Sequence, residues 1–226
     1  MTLGEAIGRF LAHDAENRSS HEPSLTLLKN YFAYDTKLEE ISASRLRDFL
    51  ARWYLQIACS SKLDDSVPDT CELLDSLTEF CGWADEQTDD IPFEQLSPLL
   101  IGLRHRLPRA IEITGKLSKW LRQSRGAFSF PEFLTSFEEG GHSQYDIDAE
   151  GAPGALEGHF RITRVQGSLV EAEEILTEER VWPILFPDEA VTLLDGEYII
   201  NLELVRANEE WRIVGCGFAY PPGTEL

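Results

Sequence analysis

The sequence predicts an α+β protein: an all-α helical domain over residues 1–125, a linker or long loop over 126–157, and a small five-stranded β-barrel-like domain over 158–226. Three observations predict it. Through the first 125 residues, apolar side chains recur every three or four positions, the period of one helix face. From residue 159 they alternate, as on a half-buried strand. Between the two, GAFSFPEFLTSFEEGGHSQYDIDAEGAPGALEG is rich in glycine, proline and acid. That composition suits a linker, with PEFLTSF as one short helix.

Taken in order, residues 3–13 place Ile7, Phe10 and Leu11 at helical spacing. A second helix carries Leu25, Leu28, Tyr31 and Phe32, with Ser20 or Ser24 as its cap and Pro23 near its start. A third is capped by Ser42 and buries Leu46, Phe49, Leu50, Trp53 and Ile57. Its capping box is incomplete, because Arg45 stands where Glu or Gln would complete it. SKLDDSVPD reads as a loop. A fourth helix from Pro68 presents Leu73, Leu74, Leu77, Phe80, Cys81 and Trp83. Residues 97–125 read as two helical pieces, the second opened by Pro108, since a first helical position has no amide bond to lose. On that piece Ala110, Ile113, Leu117, Trp120 and Leu121 share one face, at about 100° per residue.

The strands follow as HFRITRVQ, SLVEAEEIL and RVWPILF, with turns at Gly167-Ser168 and at 177–179. PDEAVTLL reads as a short helix with Asp188 and Glu189 in its first turn. Asp195-Gly196 leads into YIINLELVRA, and a turn at 208–210 leads into WRIVGCGFAYPP. Three strands, a short helix and two strands is the element order of an OB-type barrel; an SH3-like barrel or a small open sheet is also compatible.

Composition narrows the function. The chain has 226 residues, 20 Lys+Arg against 40 Asp+Glu, and 42% hydrophobic residues, enough to fold. No run approaches the roughly 20 apolar residues of a membrane helix. Residues 1–10 lack a basic start followed by an apolar stretch, which argues against a secretory signal and for a cytoplasmic protein. Cys59, Cys71, Cys81 and Cys216 are widely spaced, without a CxxC pair, as expected of free thiols. Cys71 and Cys81 fall among apolar helical positions and read as buried small hydrophobes. A zinc site lacks local ligand spacing. Walker A, nucleophile-elbow, HExxH and dinucleotide-binding motifs are absent, so the expectation is a non-catalytic protein without cofactor.

The first ninety residues, with AIGRFLAH, SLTLLKNYFAYDTKLEEISASRLRDFLARWYLQ and PDTCELLDSLTEFCGWAD, resemble the helical core-binding (SAM-like) domain of tyrosine recombinases and phage integrases. The resemblance implies a shared helical fold and, with it, DNA contact. It does not extend to the family's catalytic half. No His is followed three residues later by Arg, and an acidic β-rich segment stands in that place.

Charge is unevenly distributed. Residues 1–90 carry a net −10, residues 91–125 a net +5 and residues 126–226 a net −15. An acidic chain repels phosphate backbones, so the basic segment is the exception. Arg104, Arg106, Arg109, Lys116, Lys119, Arg122 and Arg125 are the candidate contact residues, toward a protein partner, a second copy of the chain, or nucleic acid. The competing reading is a solvated helix face that pairs with acidic residues of the same chain. A smaller candidate patch is Arg161, Arg164 and Arg180, although residues 158–226 hold 5 basic and 13 acidic side chains. Asp146, Asp148, Glu150, Gly151 and Glu157 approximate an EF-hand calcium loop, but Pro153 and a following strand fit an acidic linker better. His13-Asp14 reads as a solvated pair. The favoured expectation is an adaptor or interaction protein; the alternative is a DNA- or RNA-binding accessory protein.

Overall fold

The structure, a computed structural model, describes residues 1–60, 67–88, 93–125, 155–207 and 209–226. It is α+β, with helices up to residue 125 and a five-stranded sheet after residue 154. The chain divides into two compact units, Met1–Pro108 with Glu225 and Arg109–Thr224 with Leu226. The division falls inside a helix. The expected linker and calcium-type loop lie outside the described residues up to 154, and Glu157 belongs to a strand.

In the first unit, α1 (Leu3–His13) starts with a complete capping box. Thr2 Oγ1 accepts from the Glu5 amide at 3.3 Å, and Glu5 Oε2 accepts from the Thr2 amide at 3.1 Å. Leu3, Ala6, Ile7, Phe10 and Leu11 are buried. α2 (Arg18–Phe32) begins earlier than either expected cap, with Pro23 inside it. The Ser20 hydroxyl donates to the Asn17 carbonyl at 2.7 Å instead of capping. Ser24 is buried with no partner for its hydroxyl. Burial of His21 beside Leu25 and Leu28 draws the first turn into the fold ahead of the proline.

Ser42 caps α3 (Ala43–Asp48) through the Arg45 amide, as the sequence suggests. The helix then widens into a π segment, Phe49–Tyr54, before α4 (Leu55–Ser60). A π turn takes more residues than 3.6, so it shifts the phase of the stripe. Leu46, Phe49 and Leu50 are buried as expected; Ala51, Tyr54 and Leu55 then take the inner positions, and Trp53 and Ile57 are left half-exposed. The Tyr54 hydroxyl donates to the Pro68 carbonyl at 2.9 Å, and burial pushes its pKa up to about 12. Asp69 caps α5 (Thr70–Gln87) by accepting from the Cys71 amide at 2.8 Å. Leu73, Leu74, Leu77, Phe80, Cys81 and Ala84 form its buried stripe, which packs on α1 and α2. Cys71 is exposed, contrary to expectation, because Thr70 takes the inward slot and the next residue turns about 100° away.

α6 (Phe93–Arg125) is one helix where the sequence suggests two pieces, and Pro98 and Pro108 both lie within it. Leu96, Leu100, Leu103, Leu107, Ala110, Thr114, Leu117 and Leu121 are all buried at spacings of three or four. The stripe passes Pro108 without a change of phase, and burial along it outweighs the backbone bond that proline removes.

In the second unit, β1 (Ala155–Gln166) pairs antiparallel with β2 (Leu169–Glu174), and β2 with β3 (Arg180–Leu185). β4 (Ile199–Ala207) pairs antiparallel with both β1 and β5 (Glu210–Tyr220), and β5 lies parallel to β3. The ladder order β1-β2-β3-β5-β4 therefore returns to β1. A short α7 (Asp188–Val191) separates β3 from β4. Phe160, Ile162, Val170, Ala172, Val181, Ile184, Ile200, Leu202, Leu204, Ile213 and Cys216 are buried within the unit.

Glu174 closes β2 with a buried carboxylate. Its Oε2 accepts from the Leu176 amide at 2.9 Å, the Thr177 amide at 2.6 Å and the Thr177 hydroxyl at 2.8 Å. Burial alone would raise this carboxyl's pKa, but these donors, together with the His159 amide, outweigh it and hold it below the ordinary value. A depressed carboxylate adds stability that is full above the ordinary carboxyl pKa and is lost as pH falls through the folded value. Glu174→Gln is therefore expected to lower the thermal midpoint at pH 7 and to shrink that deficit below pH 4, read by melts across pH.

Candidate functional site

The basic stretch of α6 spends much of its charge within the chain. In the first unit, Arg104 meets Asp75 at 2.8 Å. In the second, Arg109 pairs with Asp195, and Lys116 Nζ lies 3.5 Å from Glu189. Arg106, Lys119 and Arg122 are exposed, and the Arg125 side chain lies outside the described residues. The seven candidates thus share one helix, but at least three of them face different carboxylates. Trp120 is half-exposed rather than buried on the apolar face. Sequence reasoning missed Thr114, whose hydroxyl donates to the Ala110 carbonyl at 3.0 Å and accepts from the Ala219 amide at 2.9 Å.

Two of the three sheet arginines come together. Register sets Arg161 opposite Glu173, and Glu173 opposite Arg180, across β1, β2 and β3. Glu173 receives both cations, Arg161 at 3.8 Å and Arg180 at 3.5 Å. Beside them the Arg164 guanidinium stands 5.9 Å from the ring centre of Trp182, which is 39% exposed. A cation at the face of a half-exposed tryptophan is attracted by the ring and leaves part of the planar surface open to solvent. The sequence signal for Trp182 was its outward place in RVWPILF, next to buried Val181.

A second feature of the sheet is repulsive. Glu157 and Glu203 are directly opposite on β1 and β4. Burial, then the Glu157 charge, raises the pKa of Glu203. Gly215 is Glu203's neighbour on β5, where a Cβ would come within 2.5 Å of Glu203 Oε2 and push this carboxylate aside.

The first unit holds a polar cluster that the sequence hid. His21 is buried, with Nδ1 3.1 Å from Ser76 Oγ and Nε2 3.1 Å from Asp14 Oδ2 and 3.4 Å from Glu79 Oε2. Asp14 thus turns to His21, while the His13 ring stands 6.3 Å from Trp83. Serine, histidine and aspartate in sequence of contact have the connectivity of a hydrolytic triad. Ser76, however, is 3% exposed in the middle of α5, where its hydroxyl offers no approach to a substrate. Cys81 and Cys216 are buried and Cys59 is half-buried. Burial pushes the Cys81 thiol up to about 12. No helix among the described residues is long and apolar enough to cross a membrane.

No protein-family model, curated protein or solved structure matches the chain.

Two expectations follow from these contacts. Arg109→Glu with Lys116→Glu should lower the thermal midpoint, at roughly 0.2–1 kcal/mol for each exposed pair lost plus the new repulsion, whereas Lys119→Glu should leave it unchanged. Glu203→Gln should raise the midpoint at pH 7, with the gain vanishing as acid protonates the native pair. Melts of the purified variants at pH 4 and pH 7 test both.

Proposed function

We propose that the chain is a non-catalytic adaptor that binds a protein partner, built from a helical module and an OB-like barrel. The observation that carries this reading is the use of the basic helix as an internal counter-charge: Arg104, Arg109 and Lys116 each meet a carboxylate of the same chain. With a net charge of −20, the outer surface left for contact is predominantly acidic, with Trp182 and Arg164 as its anchoring pair. The ring of ladders, the parallel β3 and β5 and the helix between β3 and β4 support the OB-like assignment over an SH3-like one.

One observation favours a second reading. The β1, β2 and β3 face that carries Trp182, Arg161, Arg164 and Arg180 is the part of an OB-like unit suited to single-stranded nucleic acid, with the ring as a stacking platform. The resemblance of the helical half to recombinase core-binding domains also supports nucleic-acid contact.

A fluorescence titration of labelled single- and double-stranded DNA and RNA, at about 50 and about 200 mM salt, separates the two. The adaptor reading expects no binding at the lower salt. It also expects a discrete protein partner, recovered by affinity capture, to be lost with Trp182→Ala at an unchanged melt. Micromolar binding that collapses with salt and weakens about tenfold or more with Trp182→Ala would overturn it in favour of nucleic acid.

A further inference from the structure

The geometry points to a divalent transition-metal site, of the zinc type, at Asp14, His21 and Glu79 in the helical unit. The three side chains come from the turn after α1, from α2 and from α5, and one ligand atom of each lies within 4.8 Å of the other two. Imidazole nitrogen with carboxylate oxygen is a donor set that zinc accepts and that magnesium and calcium do not favour.

The distances agree with that chemistry. Bonds of about 2.0–2.1 Å to a tetrahedral ion place neighbouring ligand atoms about 3.3 Å apart. His21 Nε2 stands 3.1 Å from Asp14 Oδ2 and 3.4 Å from Glu79 Oε2, close to two edges of such a tetrahedron. The ring is also oriented as a ligand. Its Nδ1 is within hydrogen-bond distance of Ser76 Oγ, and its ring centre lies 5.2 Å from that of Phe10 in a tilted contact. When Nδ1 carries the hydrogen, it donates to Ser76, and the Nε2 lone pair faces two carboxylates. A hydrogen on Nε2 or a metal ion bound there satisfies that arrangement, and metal-bound histidines are held by such a second hydrogen bond. Asn17 steadies the first carboxylate, since its Nδ2 donates to both oxygens of Asp14 at 3.2 and 3.3 Å.

Access differs around the site. The His21 side chain is 7% exposed, that of Asp14 25% and that of Glu79 57%. An ion held there would be buried on the imidazole side and open to water on the glutamate side, which leaves a fourth position for solvent. The inference is independent of the adaptor reading, and ion binding would pin α5 to the turn between α1 and α2.

The test is a titration of the metal-stripped full chain with Co(II), followed by visible absorption, with Zn(II) as competitor and Mg(II) as control. The site predicts d–d bands that saturate at one equivalent and are displaced by Zn(II) but not by Mg(II). No sulfur charge-transfer band should appear, because no cysteine is a ligand. Glu79→Gln, at a largely exposed side chain, should weaken binding about tenfold or more while the circular dichroism and melt stay those of the wild type. Ser76→Ala should weaken it by about tenfold through loss of the ring's orientation. Absence of saturable bands overturns the site, as do bands that persist unchanged in both Glu79→Gln and Asp14→Asn.

Discussion

The second unit is organised by the need to satisfy its backbone. Each of its five strands is hydrogen-bonded on both sides, because β4 bridges β1 and β5 and β5 in turn lies beside β3. An unpaired strand edge is costly in the interior and adhesive at the surface, so closing the ladder answers both problems. Amides the ladders do not reach are met by side chains. The Glu174 carboxylate collects those of Leu176 and Thr177, and the Thr114 hydroxyl takes that of Ala219. The second bond explains why a hydroxyl interrupts an otherwise apolar stripe on α6.

Electrostatics divides along similar lines. A chain with twice as many acids as bases must place its few cations where they offset most. Glu173 gathers two of them between neighbouring strands, and three carboxylates outside α6 each take a cation from it. The Glu157 and Glu203 pair is the counter-example: two acids kept face to face beside a glycine that makes room for one of them. The sheet thus tolerates a local repulsion that its surrounding burial is strong enough to absorb.

Much of the fold was legible because periodicity reports burial directly. The alternation of YIINLELVRA, that of HFRITRVQ as far as Ile162, and the capping role of Ser42 are local signals that the structure follows, whereas a register shift after Ile162 leaves Val165 exposed. The exceptions have local causes too. A π segment shifts phase without a sequence mark, a proline survives inside α6 because the stripe around it stays in register, and Thr70 displaces Cys71 from the core. The site was less legible. Arginines can be counted in a sequence, but the meeting of Arg161 and Arg180 on Glu173 depends on the register of three strands. Asp14, His21, Ser76 and Glu79 come from separate helices and a turn, so no spacing rule joins them.

The distribution of thiols gives the molecule a property of practical use. Cys81 and Cys216 are shut inside their units and Cys59 is half covered, while Cys71 stands at the surface beside the cap of α5. Among four chemically identical groups, accessibility alone makes one of them the preferred attachment point. A maleimide dye would settle first at Cys71, giving a native optical reporter on the end of α5 without any engineered residue. The same exposure makes that sulfur the first to cross-link two molecules when a preparation is stored without reductant.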